Sequence, residues 1–93
     1  MTVSAIKNIV RKDVPIYYRR VYTGIAVIEF AGKNQEFRID WIIEVSPLGT
    51  KELSVTVSDK VDYPLLPLIK ELKTKIGKLD DEGKLPSTTT TLQ

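Results

Sequence analysis

Residues 36–46 alternate between apolar and polar side chains with a single break. Phe37, Ile39, Trp41, Ile43 and Val45 interleave with Glu36, Arg38, Asp40, Glu44 and Ser46, and only Ile42 departs. A period of two over this length predicts a strand with one buried face. Leu53, Val55 and Val57 repeat the pattern against Glu52, Ser54, Thr56 and Ser58. Between the two runs, Ser46-Pro47-Leu48-Gly49 carries type I turn chemistry, with Pro second and Gly fourth. Odd residues must share a face in both strands, so the connection needs an odd number of residues or a bulge. Val45 opposite Leu53 and Ile43 opposite Val55 satisfies this.

Upstream, Tyr17 to Ala31 is rich in β-branched and aromatic residues and reads as a long strand bent at Thr23-Gly24. A two-residue loop at Lys33-Asn34 pairs Phe30 with Phe37, Ile28 with Ile39, Ala26 with Trp41 and Gly24 with Ile43. Small residues then face large ones, and Glu29 faces Arg38 on the other side. Downstream, Leu65, Ile69, Leu72, Ile76 and Leu79 recur at helical spacing. Asp62 suits an N-cap, and Pro64 and Pro67 are tolerated in a first turn. Glu71 and Lys75 form an i,i+4 pair. The helix ends at Gly77, or runs to Glu82 with Gly83 as its cap and Pro86 beyond.

At the N-terminus, Val3, Ile6, Ile9 and Val10 fit a short helix capped by Thr2 or Ser4 and stopped by Asp13-Val14-Pro15. A short strand is the alternative. The expected fold is α+β: a three-stranded antiparallel meander, or a four-stranded one, with a C-terminal amphipathic helix and a short N-terminal helix. Residues 1–86 form one domain, and 87–93, with four consecutive Thr, form a disordered tail.

The other sheet face carries Val21, Ile25, Val27 and Ile42 among Arg38, Asp40 and Glu44. One helix cannot cover both faces of a sheet. The N-terminal helix or a second subunit is expected over this cluster, and open sheet edges also invite pairing. A homodimer is therefore expected.

Composition narrows the chemistry. The 93 residues are 42% hydrophobic and 28% charged, as in a folded globule, with no Cys and no His. Disulfides, thiolate zinc sites and the commonest metal ligand and general base are excluded. Asp40 and Glu44 lie on one strand face, but beside Arg38 they read as a hydrated surface and not an acid–base pair. Gly32-Lys33 lacks the spacing of a phosphate loop and is explained by a turn. No enzyme, metal or cofactor is expected. No apolar run spans a membrane and no signal peptide opens the chain, so a cytoplasmic protein is expected.

The net charge of +2 permits nucleic-acid binding without requiring it. Tyr17-Tyr18-Arg19-Arg20-Val21-Tyr22, behind Arg11-Lys12, joins aromatic faces that stack bases to cations that neutralise phosphates. The plainer interpretation is that the tyrosines close the end of a small sheet while the arginines snorkel over its rim. Lys70, Lys73, Lys75 and Lys78 read as a solvated helix face.

Phe30-Ala31-Gly32-Lys33, Arg38-Ile39-Asp40, Pro47-Leu48-Gly49 and Leu68 to Ile76 resemble the positive cofactor four family. Those small modules bind single-stranded DNA as dimers, with a curved antiparallel sheet followed by one helix. The likeness runs from Phe30 to Ile76. The chain departs from it in its N-terminal segment and in the acidic Asp40 and Glu44 of the middle strand. The resemblance implies contacts at Tyr18, Arg19, Arg20, Tyr22, Lys33 and Arg38. A non-catalytic protein that binds single-stranded nucleic acid as a small dimer is the leading expectation. A protein–protein interaction module is the alternative.

Overall fold

Four strands follow one another in space as they do in sequence. In the computed structural model, β1 (Thr2–Lys12), β2 (Arg19–Phe30), β3 (Lys33–Val45) and β4 (Lys51–Val57) form one antiparallel sheet in that order. One helix, α1 (Leu65–Asp81), packs on it, so the fold is α+β. Residues 2–12, 14, 18–61 and 64–86 are described. The expected N-cap Asp62, the breakers Asp13 and Pro15, Tyr17 and the tail from Ser87 lie outside them.

The expected N-terminal helix is a strand. Val3 lies opposite Ile28 and Ile6 opposite Ala26, with register shifts between Val3 and Ala5 and between Lys7 and Val10. Each shift gives β1 one residue more than β2. A bulge of this kind turns a face-repeat of two into three, so Val3, Ile6 and Ile9 all reach the core side. Spacing of three is also the first step of a helical stripe, which is why the segment imitates a helix. Asn8, in the second bulge, has φ 54°, a left-handed conformation that Asn tolerates better than most residues.

The β2–β3 turn sits earlier than expected. Ala31 and Gly32 have φ 54° and 76°, the positive pair that a type I′ hairpin turn requires. Phe30 therefore faces Lys33, Ala26 faces Phe37, and Trp41 faces Tyr22 in place of Ala26. Glu29 meets Asn34 and not Arg38. The slip is four residues, an even number, so every side chain keeps its expected face. Between β3 and β4 the slip is two: Ile43 pairs with Leu53 and Trp41 with Val55. The connecting loop, residues 46–50, has the odd length that parity demands. Gly49 N–H donates to the Ser46 carbonyl at 2.9 Å, and Ser46 N–H donates to that of Thr50 at 2.8 Å.

The core lies between α1 and one sheet face. Tyr22, Ala26, Ile28, Ile39, Trp41 and Ile43 meet Leu68, Leu72 and Ile76, all buried. The helical stripe begins at Leu68, because Leu65 opens the helix and stays half-exposed. Pro64 occupies the N-cap position without a side-chain cap, and Pro67 falls in the first turn. The helix runs through Gly77 and ends in a Schellman motif. Lys84 N–H donates to the Leu79 carbonyl at 2.9 Å and Gly83 N–H to that of Asp80 at 3.0 Å. Gly83 has φ 69°, whereas Gly77 is helical with open space where a Cβ would stand. The two glycines should therefore respond to alanine with opposite signs. Gly83→Ala should cost ~1–2 kcal/mol from left-handed strain, and Gly77→Ala should gain ~0.5–1 kcal/mol. Urea unfolding of both variants checks this.

Candidate functional site

The aromatic–basic run of β2 meets the core at Tyr22. This side chain is fully buried and stacks on Trp41, with ring centroids 5.4 Å apart and planes 16° apart. Strand parity puts Arg20 on the same face, at its rim. Arg20 Nη1 donates to Tyr22 Oη at 3.0 Å and to Asp80 Oδ1 at 3.0 Å, and Nη2 donates to Asp80 Oδ2 at 3.3 Å. Lys51 Nζ donates to Asp80 Oδ2 at 2.7 Å and to Asp81 Oδ1 at 3.2 Å. A carboxylate in the last turn of a helix opposes the macrodipole, and the two cations offset that. Hydrogen bonding from Arg20, reinforced by Lys51, holds the Asp80 carboxyl below its usual range although burial opposes this. The Asp80 bonds raise Arg20 and Lys51 in turn. This cluster fastens the end of α1 to β2 and β4.

The remaining candidate nucleic-acid contacts are dispersed. Arg19 projects to the opposite face and pairs with Glu44 at 3.2 Å. Arg38 is exposed on that face, and its backbone N–H donates to Asp59 Oδ2 at 2.8 Å. Lys33 pairs with Phe30 at the hairpin turn. That is eleven steps along β2 from Arg19, or roughly 35 Å at strand rise. Tyr18 is 46% exposed at the end of the sheet. There, with Arg11, Arg20, Glu44, Pro47 and Glu52, it lines a cavity of about 950 Å³. The charges of that cavity are balanced, arginines against glutamates.

Val21, Ile25, Val27 and Ile42 lie together on the face away from α1, with Val21 directly opposite Ile42. No described element covers them. All four are half-buried, and ion pairs stand among them: Lys7 with Glu36 at 2.7 Å, Lys12 with Asp40 at 4.0 Å, and Arg19 with Glu44. An antiparallel sheet with one hydrated face has this character.

The two sheet edges differ. β1 is blunted by two bulges, the left-handed Asn8 and the exposed Lys7 and Lys12. β4 pairs with β3 without a register shift. Ser58 N–H donates to the Arg38 carbonyl at 3.0 Å, which fixes the parity of the ladder. Glu52, Ser54 and Thr56 thus aim their backbone groups at β3, while Lys51, Leu53, Val55 and Val57 turn theirs outward. Leu53, Val55 and Val57 are also half-buried, at the margin of the core. Their strict alternation in the sequence carried the strand but not its place at the edge.

One protein-family model matches residues 1–81. The chain belongs to the family which that model defines. The family match takes in all four strands and α1, including the Arg20–Asp80–Lys51 cluster and the free edge of β4. No curated protein and no solved structure matches the chain. Among the described residues of this family member, no helix is long and apolar enough to cross a membrane, and no three acidic side chains gather as a metal site requires.

Proposed function

We propose that this protein is a non-catalytic interaction module that receives an extended polypeptide on the free edge of β4. The observation that carries this is the outward row of backbone donors and acceptors at Lys51, Leu53, Val55 and Val57, on a strand with no bulge to deflect a partner. Main-chain hydrogen bonds give affinity in such strand addition, and alternate side chains give specificity. Here Leu53, Val55 and Val57 present a half-covered apolar margin to an incoming strand. The basic–aromatic strand supports a nucleic-acid surface less well, because Tyr22 is buried and Arg20 is committed to Asp80.

Random heptapeptides displayed on phage, selected on the immobilised chain and resynthesised, provide the probe. The expected result is slowed amide exchange at Leu53, Val55 and Val57 when a selected peptide binds. Protection confined to other strands, or no enrichment of any peptide, would remove this function.

Contact with single-stranded nucleic acid, which the positive cofactor four resemblance implies, is favoured by one observation. Lys70, Lys73 and Lys78 are exposed along α1, and no carboxylate pairs with them among the described residues. A short single-stranded oligonucleotide titrated at two salt concentrations tests it. Phosphate contacts would weaken steeply with salt, and no binding at low salt would dismiss it.

A further inference from the structure

Resting on the edge reading above, we propose that the strand received is β4 of a second copy of this chain, paired antiparallel about a two-fold axis through Val55. The outward backbone groups belong to odd residues, so an antiparallel partner must bring odd residues opposite odd ones. Three centres on this strand meet the condition. An axis through Ser54 sets Lys51 opposite Val57, a charge against a core-margin side chain. An axis through Thr56 sets Leu53 opposite Asp59. An axis through Val55 sets Leu53 opposite Val57, Val55 opposite itself, and Lys51 level with Asp59 of the other copy.

Only the third register places apolar on apolar at every inner position and opposite charges at both ends. On the hydrated face it pairs Ser54 with Thr56 and Glu52 with Ser58, so no like charges meet. The other edge cannot do the same, because its bulges and Asn8 interrupt the outward row. Pairing odd with odd also keeps each sheet face continuous. The product is an eight-stranded sheet with both helices on one side, in which the half-covered Leu53, Val55 and Val57 of each copy close over one another. A two-fold interface of this kind is self-complementary and closes as a dimer, so it does not propagate into a fibre.

The test uses the whole chain. Ser54 and Thr56 are exposed, so Ser54→Lys with Thr56→Lys spares the core and opposes lysine with lysine twice across the axis. Sedimentation equilibrium of the wild type should give a dimer that dissociates on dilution. The double variant should raise the dissociation constant about tenfold or more, with an unchanged circular dichroism spectrum. Because the chain has no cysteine, Val55→Cys should oxidise to a linked dimer, whereas Leu48→Cys, on an exposed turn, should not. A wild type that stays monomeric at high concentration overturns the proposal, and so does a double variant that dimerises as well as the wild type. If the chain is monomeric and selected peptides still protect Val55, the second copy is the wrong occupant and the edge function stands. If neither protects it, both fall.

Discussion

Trp41→Ala is expected to cost ~3–5 kcal/mol, the range for emptying a large aromatic site. Trp41 is 1% exposed at the middle of β3. Its ring stacks on Tyr22 and lies against Gly24, where a Cβ would stand 3.2 Å from Cζ3. Removing it opens a void between the sheet and α1 that Gly24, having no side chain, cannot fill. The indole Nε1 is buried without a hydrogen-bond partner. An orphaned donor of that kind costs about 1–3 kcal/mol. Trp41→Phe loses packing area but also removes the orphan, so it should cost much less than alanine. Urea unfolding of the three proteins, followed by far-ultraviolet circular dichroism, measures both gaps. Equal losses for Phe and Ala would mean that the ring's volume does not hold the core.

The faces of the sheet were legible in the sequence, and the registers were not. Alternation in β3 and β4 assigns Ile39, Trp41, Ile43, Leu53 and Val55 to one side whatever their partners. Slips of four and two residues leave that assignment untouched. Hydrophobic patterning is blind to even slips, and turn conformation decides between them. Gly32 announced one positive φ, but Ala31 supplies the other, and Ala gives no sign of it in a sequence. The bulged β1 failed for a different reason: two inserted residues convert strand spacing into helix-like spacing. At the site, Tyr22 shares parity with Ala26 and Ile28, and that was enough to place it in the core. Its resemblance to a base-stacking residue came from neighbours, Arg19 and Tyr18, that point elsewhere. The partner of Arg20 stands sixty residues further along the chain, where only the packing of α1 could bring it. The free edge of β4 is a property of topology, since it exists only because no fifth strand follows among the described residues.

Asp80→Asn is expected to cost ~2–3 kcal/mol at neutral pH, in line with charge-assisted hydrogen bonds to a partly buried group. The Arg20 and Asp80 side chains are 26% and 12% exposed. The loss should therefore fall short of that for a fully buried pair but exceed that of a surface one. Lys51, at 44%, adds little by itself. The variant still accepts a hydrogen bond, but it leaves two cations facing one another at the end of α1. The sign of the pH dependence follows from the Asp80 carboxyl, which the Arg20 and Lys51 hydrogen bonds hold below its ordinary 3.8. A depressed folded value means that the native state keeps Asp80 ionised where the unfolded chain has begun to protonate it. The stabilisation is complete well above pH 3.8 and is lost as pH falls below it, through the folded value. Wild-type stability should thus fall more steeply on acidification than that of Asp80→Asn, and the two curves should converge. Lys51 acts in the opposite sense at the alkaline end, where its raised value preserves its charge up to and beyond 10.5. Urea midpoints measured for both proteins from neutral pH down to strongly acidic buffer decide the matter. Parallel curves would show that Asp80 is not held as an anion by Arg20, and that the end of α1 is fastened by packing alone.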